Sequence, residues 1–258
     1  MPFFHGWPTP FAAMAAFPAD FLPVLPAAAG TCREPVLTKL HFDPKVLPIE
    51  SLAGEAAVLA EELSVERLRS RFANPPRWTP ETVEERLLRI RDGDPTRASV
   101  LMPLVQREHG LTMLLTERTA HLTDHAGQVS LPGGRAEPED ASVIDTALRE
   151  TEEEIGLARR HIEVLGTLPE HFTGTGYRVT PVVGLVHPPF DLQADPFEVE
   201  EIFEVPLAFL MDGMNHQRRS IEAPGIPRRT FYTMPYDRFF IWGATAGMLR
   251  NLFHFLRA

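Results

Sequence analysis

The chain has a single cysteine, Cys32, among its 258 residues. That excludes a disulfide framework and any metal site built from several thiolates, and it fits a reducing, cytoplasmic setting. No apolar run approaches the roughly 20 residues that a bilayer-spanning helix needs, so no membrane partner is expected. Basic residues are missing ahead of Arg33, whereas a secretory signal begins with a basic stretch before its apolar core. The longest proline-free apolar run in that region, Phe11–Phe17, is short. Residues 1–36 are therefore expected to be a disordered leader or the product of a start codon assigned too far upstream; a processed targeting segment is the alternative. An excess of positive charge is also absent. The net charge is −10, and a general nucleic-acid binder would need a basic surface to replace phosphate counterions. A small anionic substrate stays open if a metal ion or local arginines neutralise it.

What is present is an ordinary globular composition, 44% hydrophobic and 23% charged, long enough for one well-cored domain with extensions. Residues 37–95 carry two helical signals around Asn74-Pro75-Pro76 and are expected to form a helical packing arm. The first starts at Ser64 as N-cap and runs through Leu68 and Phe72. The second starts at Thr79-Pro80-Glu81 and runs to Arg91 before Asp92-Gly93-Asp94-Pro95. From residue 96 to 258 the texture is that of strands and helices without regular alternation. Ser99–Gln106 and Leu111–Arg118 predict a hairpin, and Gln128–Leu131, His161–Leu168, Tyr177–His187 and Ile202–Val205 predict further strands. A short helix at Leu207–Met211, a hairpin from Arg229–Met234 and Arg238–Ile241, and a helix at Thr245–Leu256 complete the pattern. The fold class expected is α/β of the α+β kind, a mixed sheet between helices.

One helix carries the chemistry. It is predicted over Ala141–Ile155, with Asp140 as N-cap and Gly156 as its stop. Ala141, Ile144, Leu148, Thr151 and Ile155 recur at helical spacing as a core stripe. Glu150, Glu153 and Glu154 share another face, and Glu152 points elsewhere. Acids in a last turn oppose the helix dipole by roughly 0.3–1 kcal/mol each, and Arg149, paired with Glu153 or Asp145, cannot neutralise them all. A divalent cation could, because carboxylates are the hard oxygen ligands that Mg²⁺ or Mn²⁺ prefers. An acidic helix face alone is commonly just solvated, and Pro132-Gly133-Gly134 alone is commonly just a turn. Their ordered combination is more specific, since paired glycines let a backbone approach a phosphate closely.

Gly134 followed by Arg149-Glu150-Thr151-Glu152-Glu153-Glu154-Ile155-Gly156-Leu157 resembles the Nudix box, Gly-x5-Glu-x7-Arg-Glu-U-x-Glu-Glu-x-Gly-U with U apolar. Here Asp140 stands near the first glutamate, eight residues separate it from Arg149, and Thr151 occupies a U position. Leu114–Gly134 resembles the coenzyme A pyrophosphatase subgroup, LLTxRSxxLRxHxGQVxFPGG, with Thr119, Thr123 and Leu131 in place of Ser, Arg and Phe. The resemblance extends over about residues 64–250. It implies a Nudix-type α/β/α sandwich and an enzyme that hydrolyses the diphosphate of coenzyme A or its thioesters to 3′,5′-ADP and 4′-phosphopantetheine. It also implies Mg²⁺ or Mn²⁺ held by Glu150 and Glu154, with Glu153 as third ligand or base and Arg149 beside them. A further acid would come from Glu198, Glu200 or Glu201. Substrate contacts would fall to Arg118, His125, Gln128, Gly133, Gly134 and Arg135, with Arg178 a further arginine near the motifs. Phe239, Phe240, Trp242, Phe253 and Phe255 are expected in the core. The alternatives are the same fold acting on another nucleoside diphosphate such as ADP-ribose, or a non-catalytic nucleotide-binding module. The partner is a small molecule in each case; the oligomeric state stays open, a homodimer included.

Overall fold

The computed structural model describes residues 43–81, 94–121, 126–223 and 226–258. The chain enters through a short edge strand, β1 (Ser51–Leu52), and reaches α1 (Val65–Ala73). Ser64 caps α1 as expected, its hydroxyl accepting from the Arg67 N–H, and Leu68 is fully buried. The second helical signal of this region falls beyond Glu81, outside the described residues. The predicted hairpin forms from β2 (Thr96–Arg107) and β3 (Gly110–Arg118), paired antiparallel. Then come β4 (Val129–Ser130), β5 (Gly133–Arg135), α2 (Val143–Ile155), β6 (Ile162–Thr167), β7 (His171–Phe172) and β8 (Tyr177–Val186). The chain ends with β9 (Val199–Pro206), α3 (Leu207–Leu210), β10 (Gln217–Ala223), β11 (Ile226–Tyr236), β12 (Phe239–Trp242) and α4 (Gly243–Arg257).

The larger sheet runs β4-β3-β2-β8-β6, with β5 joined to β2, β7 to β8 and β9 to β3. Among the described residues only β2 and β8 pair in parallel, so the sheet is mixed. Alternation along the strands divides its two faces. Leu101 and Val182 pack under Ala147, Ile144 and Leu148 of α2, while Val105, Leu114 and Val186 meet Ile155 and Leu157. The intervening Met102, Leu104, Val183 and Leu185 belong to the opposite core, with Leu68 of α1 and Leu252 and Phe253 of α4. The result is the expected α/β/α layering. A second sheet, β1-β10-β11-β12, lies on the α4 side.

Three expectations need correction. The helix of the acidic residues begins at Val143, and Ser142, not Asp140, caps it by accepting from the Asp145 N–H at 3.1 Å. Ala141 is consequently outside the helix and exposed rather than part of the core stripe. The last hairpin is preceded by β10, whose Gln217, Arg218, Arg219 and Ser220 gave no apolar signal. Arg219 is nonetheless buried, its Nη1 donating to the Lys45 carbonyl at 3.2 Å and its guanidinium lying 5.4 Å from the Phe240 ring centre.

The N-terminal segment is fastened to α4 by Arg250, whose side chain is 3% exposed. Its guanidinium donates to Glu55 (2.9 and 3.1 Å), to Glu81 (3.0 Å) and to His216 Nδ1 (3.1 Å), and it lies 4.5 Å from the Tyr232 ring centre. Burial alone would raise the pKa of Glu81. Hydrogen bonds from His254 and Tyr232 and the charge of Arg250 outweigh it, and the value falls from 4.5 to about 2. The unfolded chain therefore takes up this proton first as pH drops. The stability from Glu81 is complete above about pH 4.5 and is lost progressively as pH falls towards 2. Glu81→Gln is expected to flatten that part of the profile of melting temperature against pH, while a slope equal to the parent's would count against the assignment.

Candidate active site

The parallel pairing of β2 and β8 gives α2 a flat bed, and Ala147 brings the helix close to Leu101 and Val182. Thr151, polar at a position the helical pattern makes apolar, is fully buried. Its hydroxyl donates to the Ala147 carbonyl at 2.6 Å, which removes the cost of burying it. This seating aims Glu150 and Glu154 at the backbone of β5. The Gly133 N–H donates to Glu154 Oε2 at 3.0 Å. Both glycines are closely approached. A Cβ on Gly133 would lie 2.4 Å from the Ser99 carbonyl oxygen, and its φ of 146° is unfavourable for other residues. A Cβ on Gly134 would lie 2.4 Å from the Glu150 carboxyl group.

The two carboxylates are held in electrostatically unfavourable places. Glu154 is 5% exposed, and burial drives its pKa up to about 8. The Gly133 N–H and the Arg118 charge oppose this rise, whereas Glu198 and Glu150 add to it. Glu150 is also raised, first by burial, against the pull of Arg149 and with further push from Glu153 and Glu198. Arg118 sits between two acids, with Nη1 3.6 Å from Glu154 and Nη2 3.6 Å from Glu198. Glu198 thus adds to the rise at both Glu150 and Glu154, and a divalent cation bound by such hard oxygen ligands would relieve the repulsion.

Arg149 organises the lip of the site. Its Nε and Nη2 grip Asp140 at 2.8 and 3.0 Å, Nη2 also donates to the Arg135 carbonyl, and Nη1 lies between Glu150 (3.2 Å) and Glu153 (2.9 Å). The hydrogen bonds from Arg149, with help from the Glu137 N–H and Thr146, hold the Asp140 carboxyl well below the usual carboxylate range. Asp145, an expected partner of Arg149, pairs instead with Arg159 at 3.0 Å. The bidentate Asp140–Arg149 pair pins the loop after β5 to α2, a role that its spacing did not disclose.

The other candidates separate. Glu153 has a side chain 61% exposed and turned to Arg149, so the three glutamates of the shared face do not converge on one point. Among the described residues no group of three or more His, Cys, Asp or Glu side chains is gathered tightly enough to hold an ion. Glu201 is tied to Arg238 and Glu200 is exposed, leaving Glu198 as the downstream acid that reaches the site. Arg135 turns its side chain to the Tyr177 hydroxyl (2.9 Å), and Arg178 faces Glu170 at 3.4 Å. The Gln128 carbonyl accepts from the Arg118 N–H at 3.0 Å, fixing the strand that carries Arg118. His125 and Thr123 lie outside the described residues. Phe239, Phe253 and Phe255 are buried as expected, whereas Phe240 and Trp242 are half-buried.

The chain is similar to proteins of known family. Residues 95–222 match the model of the NUDIX domain. The chain is 44% identical over 157 residues to the uncharacterized Nudix hydrolase NudL of Escherichia coli O1:K1, spanning 60% of this chain and 80% of that protein. The NudL of Shigella boydii serotype 18 matches to the same extent. A solved Nudix hydrolase from M. smegmatis, RenU, is 22% identical with a TM-score of 0.39, over 45% of this chain and 73% of that one. The chain belongs to the Nudix hydrolase family. It is accordingly a pyrophosphohydrolase of nucleoside diphosphate derivatives, and Nudix hydrolases generally use divalent metal ions. Among the described residues no helix is long and apolar enough to cross a membrane.

The two glycines should respond differently to alanine. Gly133→Ala meets the backbone of Ser99 and Val100 and is expected to lower unfolding free energy by about 1–3 kcal/mol, as overpacking does. Gly134→Ala meets only the movable end of Glu150, so the melting temperature should change little while hydrolysis falls. Equal effects of the two on melting temperature would refute the distinction.

Proposed function

We propose that this hydrolase cleaves the diphosphate of coenzyme A or its thioesters, releasing 3′,5′-ADP and 4′-phosphopantetheine or its acyl form. The observation that carries the hydrolytic part is the bond from the Gly133 N–H to Glu154, which sets a buried carboxylate at a backbone open to phosphate. The substrate part rests on Leu114–Gly134, with its Arg118, Gln128 and Gly133-Gly134 in the subgroup's spacing.

Glu150 and Glu154 would hold Mg²⁺ or Mn²⁺, and their mutual repulsion and raised pKa values suit a bound cation. Glu153 would join them as ligand or base after leaving Arg149. A bound divalent ion supplies charge neutralisation at the diphosphate and a lower pKa for water. Arg118 offers planar, paired donors to an anionic oxygen, as guanidinium groups do best. Glu198 holds that guanidinium in reach of the site when no substrate is present. Arg149 acts as a positioning residue, keeping Glu150 and the Arg135 carbonyl in place. Arg135, Gln128 and His125 complete the proposed substrate contacts, the first after release from Tyr177. The protein is expected to work in the cytoplasm.

Coenzyme A incubated with Mg²⁺ or Mn²⁺ should yield 3′,5′-ADP and 4′-phosphopantetheine, and EDTA should stop the reaction. Faster turnover of ADP-ribose than of coenzyme A would sink the substrate assignment. Glu154→Gln should cut kcat by about 100-fold or more, the scale of losing a few kcal/mol of metal-centred stabilisation, with folding intact by circular dichroism. A variant as active as the parent would remove Glu154 from the metal site.

A further inference from the structure

Phe197 is 74% exposed, an unusual position for a large apolar ring whose neighbours are so well fixed. Its carbonyl accepts from Thr119 Oγ1 at 2.8 Å, and Thr119 is itself buried. Its N–H donates to Asp195 Oδ1 at 2.9 Å. The loop that carries it closes the end of α2. The Gln193 N–H donates to the Ile155 carbonyl and the Asp195 N–H to the Glu154 carbonyl, at 2.9 and 2.8 Å. The next residue, Glu198, reaches Arg118, which reaches Glu154. The loop is thus held at both ends of its contact with the site, while the ring it presents is left to solvent. The His121 and Phe197 rings are roughly perpendicular, with centres 6.5 Å apart and planes at 82°. They make a corner in which most of Phe197 stays exposed.

We propose that Phe197 is the stacking face for the nucleobase of the substrate, with His121 bounding the corner. This rests on the reading of the site as one for a nucleoside diphosphate derivative. Leaving a phenyl ring in water has no benefit for folding, and a fixed backbone lowers the entropy lost when a base settles on it. Phe197 directly precedes Glu198, whose carboxylate faces Arg118, so a base one nucleoside away from a diphosphate at Arg118 is placed at the loop that carries this ring. Stacking is indifferent to the identity of the base, so Phe197 would contribute grip, and the edge of His121 the limit on where the base can lie.

The test is equilibrium binding of ADP and of inorganic pyrophosphate to the full chain in Mn²⁺, by titration calorimetry. Phe197→Ala should weaken ADP by about tenfold, within the range for losing one base–aromatic stack, and leave pyrophosphate within twofold. Phe197→Trp should restore ADP binding. Unchanged ADP affinity in the alanine variant, or equal losses for both ligands, would overturn the proposal. So would a dimer of the parent that dissociates in Phe197→Ala without any change in ADP affinity, since the ring would then be a contact between copies. ADP lacks the pantetheine arm, so a failure of coenzyme A as substrate would leave this result standing. Absence of ADP binding by the parent, with coenzyme A still hydrolysed, would refute the stacking role alone.

Discussion

The close approach of α2 to the backbone of Gly133 and Gly134 is the constraint on which the site depends. A helix ordinarily keeps about 10 Å from a neighbouring layer because side chains fill the gap. Here the gap closes on one side, because two residues of β5 have no side chain and the residues facing them are Glu150 and Glu154. Everything nearby can be understood as serving that approach. Ala147 lets the helix settle on Leu101 and Val182, Thr151 satisfies itself within the helix, and Arg149 draws in Asp140 and the Arg135 carbonyl. A carboxylate in such a place is costly to ionise, as the rise for Glu154 to about 8 expresses. Function and stability pull against one another at this point, which is common where charge must be concentrated.

Much of this was legible in the residues before any coordinates. Glycines followed by a helix with acids at its C-terminal end define a loop and a face, and the apolar runs Ser99–Gln106 and Leu111–Arg118 define the sheet beneath. The turn at Gly156 and the cap at Ser64 are local chemistry, so they could be found locally. Other features depend on contacts between distant residues. Asp140 was a plausible cap by position; its bond to Arg149, nine residues on, overrode that preference. Strand β10 is polar on the surface of the pattern because Arg219 is satisfied by carbonyls near residue 45, far away in sequence. Helical geometry put Glu150, Glu153 and Glu154 together, yet the sheet edge covers Glu154 and leaves Glu153 to solvent. Periodicity reports which residues share a direction, and only packing decides which of them is buried.

The loop from Gln193 to Glu198 ties the end of α2 to Arg118 in a way the motifs do not reveal. It contains no box residue, but it accepts the task of capping the last carbonyls of α2. The helix end and the mouth of the site are therefore one object. A change in the loop would move the carboxylates, and a change in the carboxylates would move the mouth.

Arg250 has a consequence at a different scale. Its guanidinium lies in the interior with acids supplied by residues 55 and 81, ahead of the residues that match the NUDIX domain model, and it stands itself beyond their end. The stretch that the domain model matches is then shorter than the stretch that packs together. A fragment trimmed to residues 95–222 would part from the strands that flank β10 and from the helix that closes the α1 side of the sheet. Conversely, the full assembly brings two remote ends of the chain together around a charge that water cannot reach.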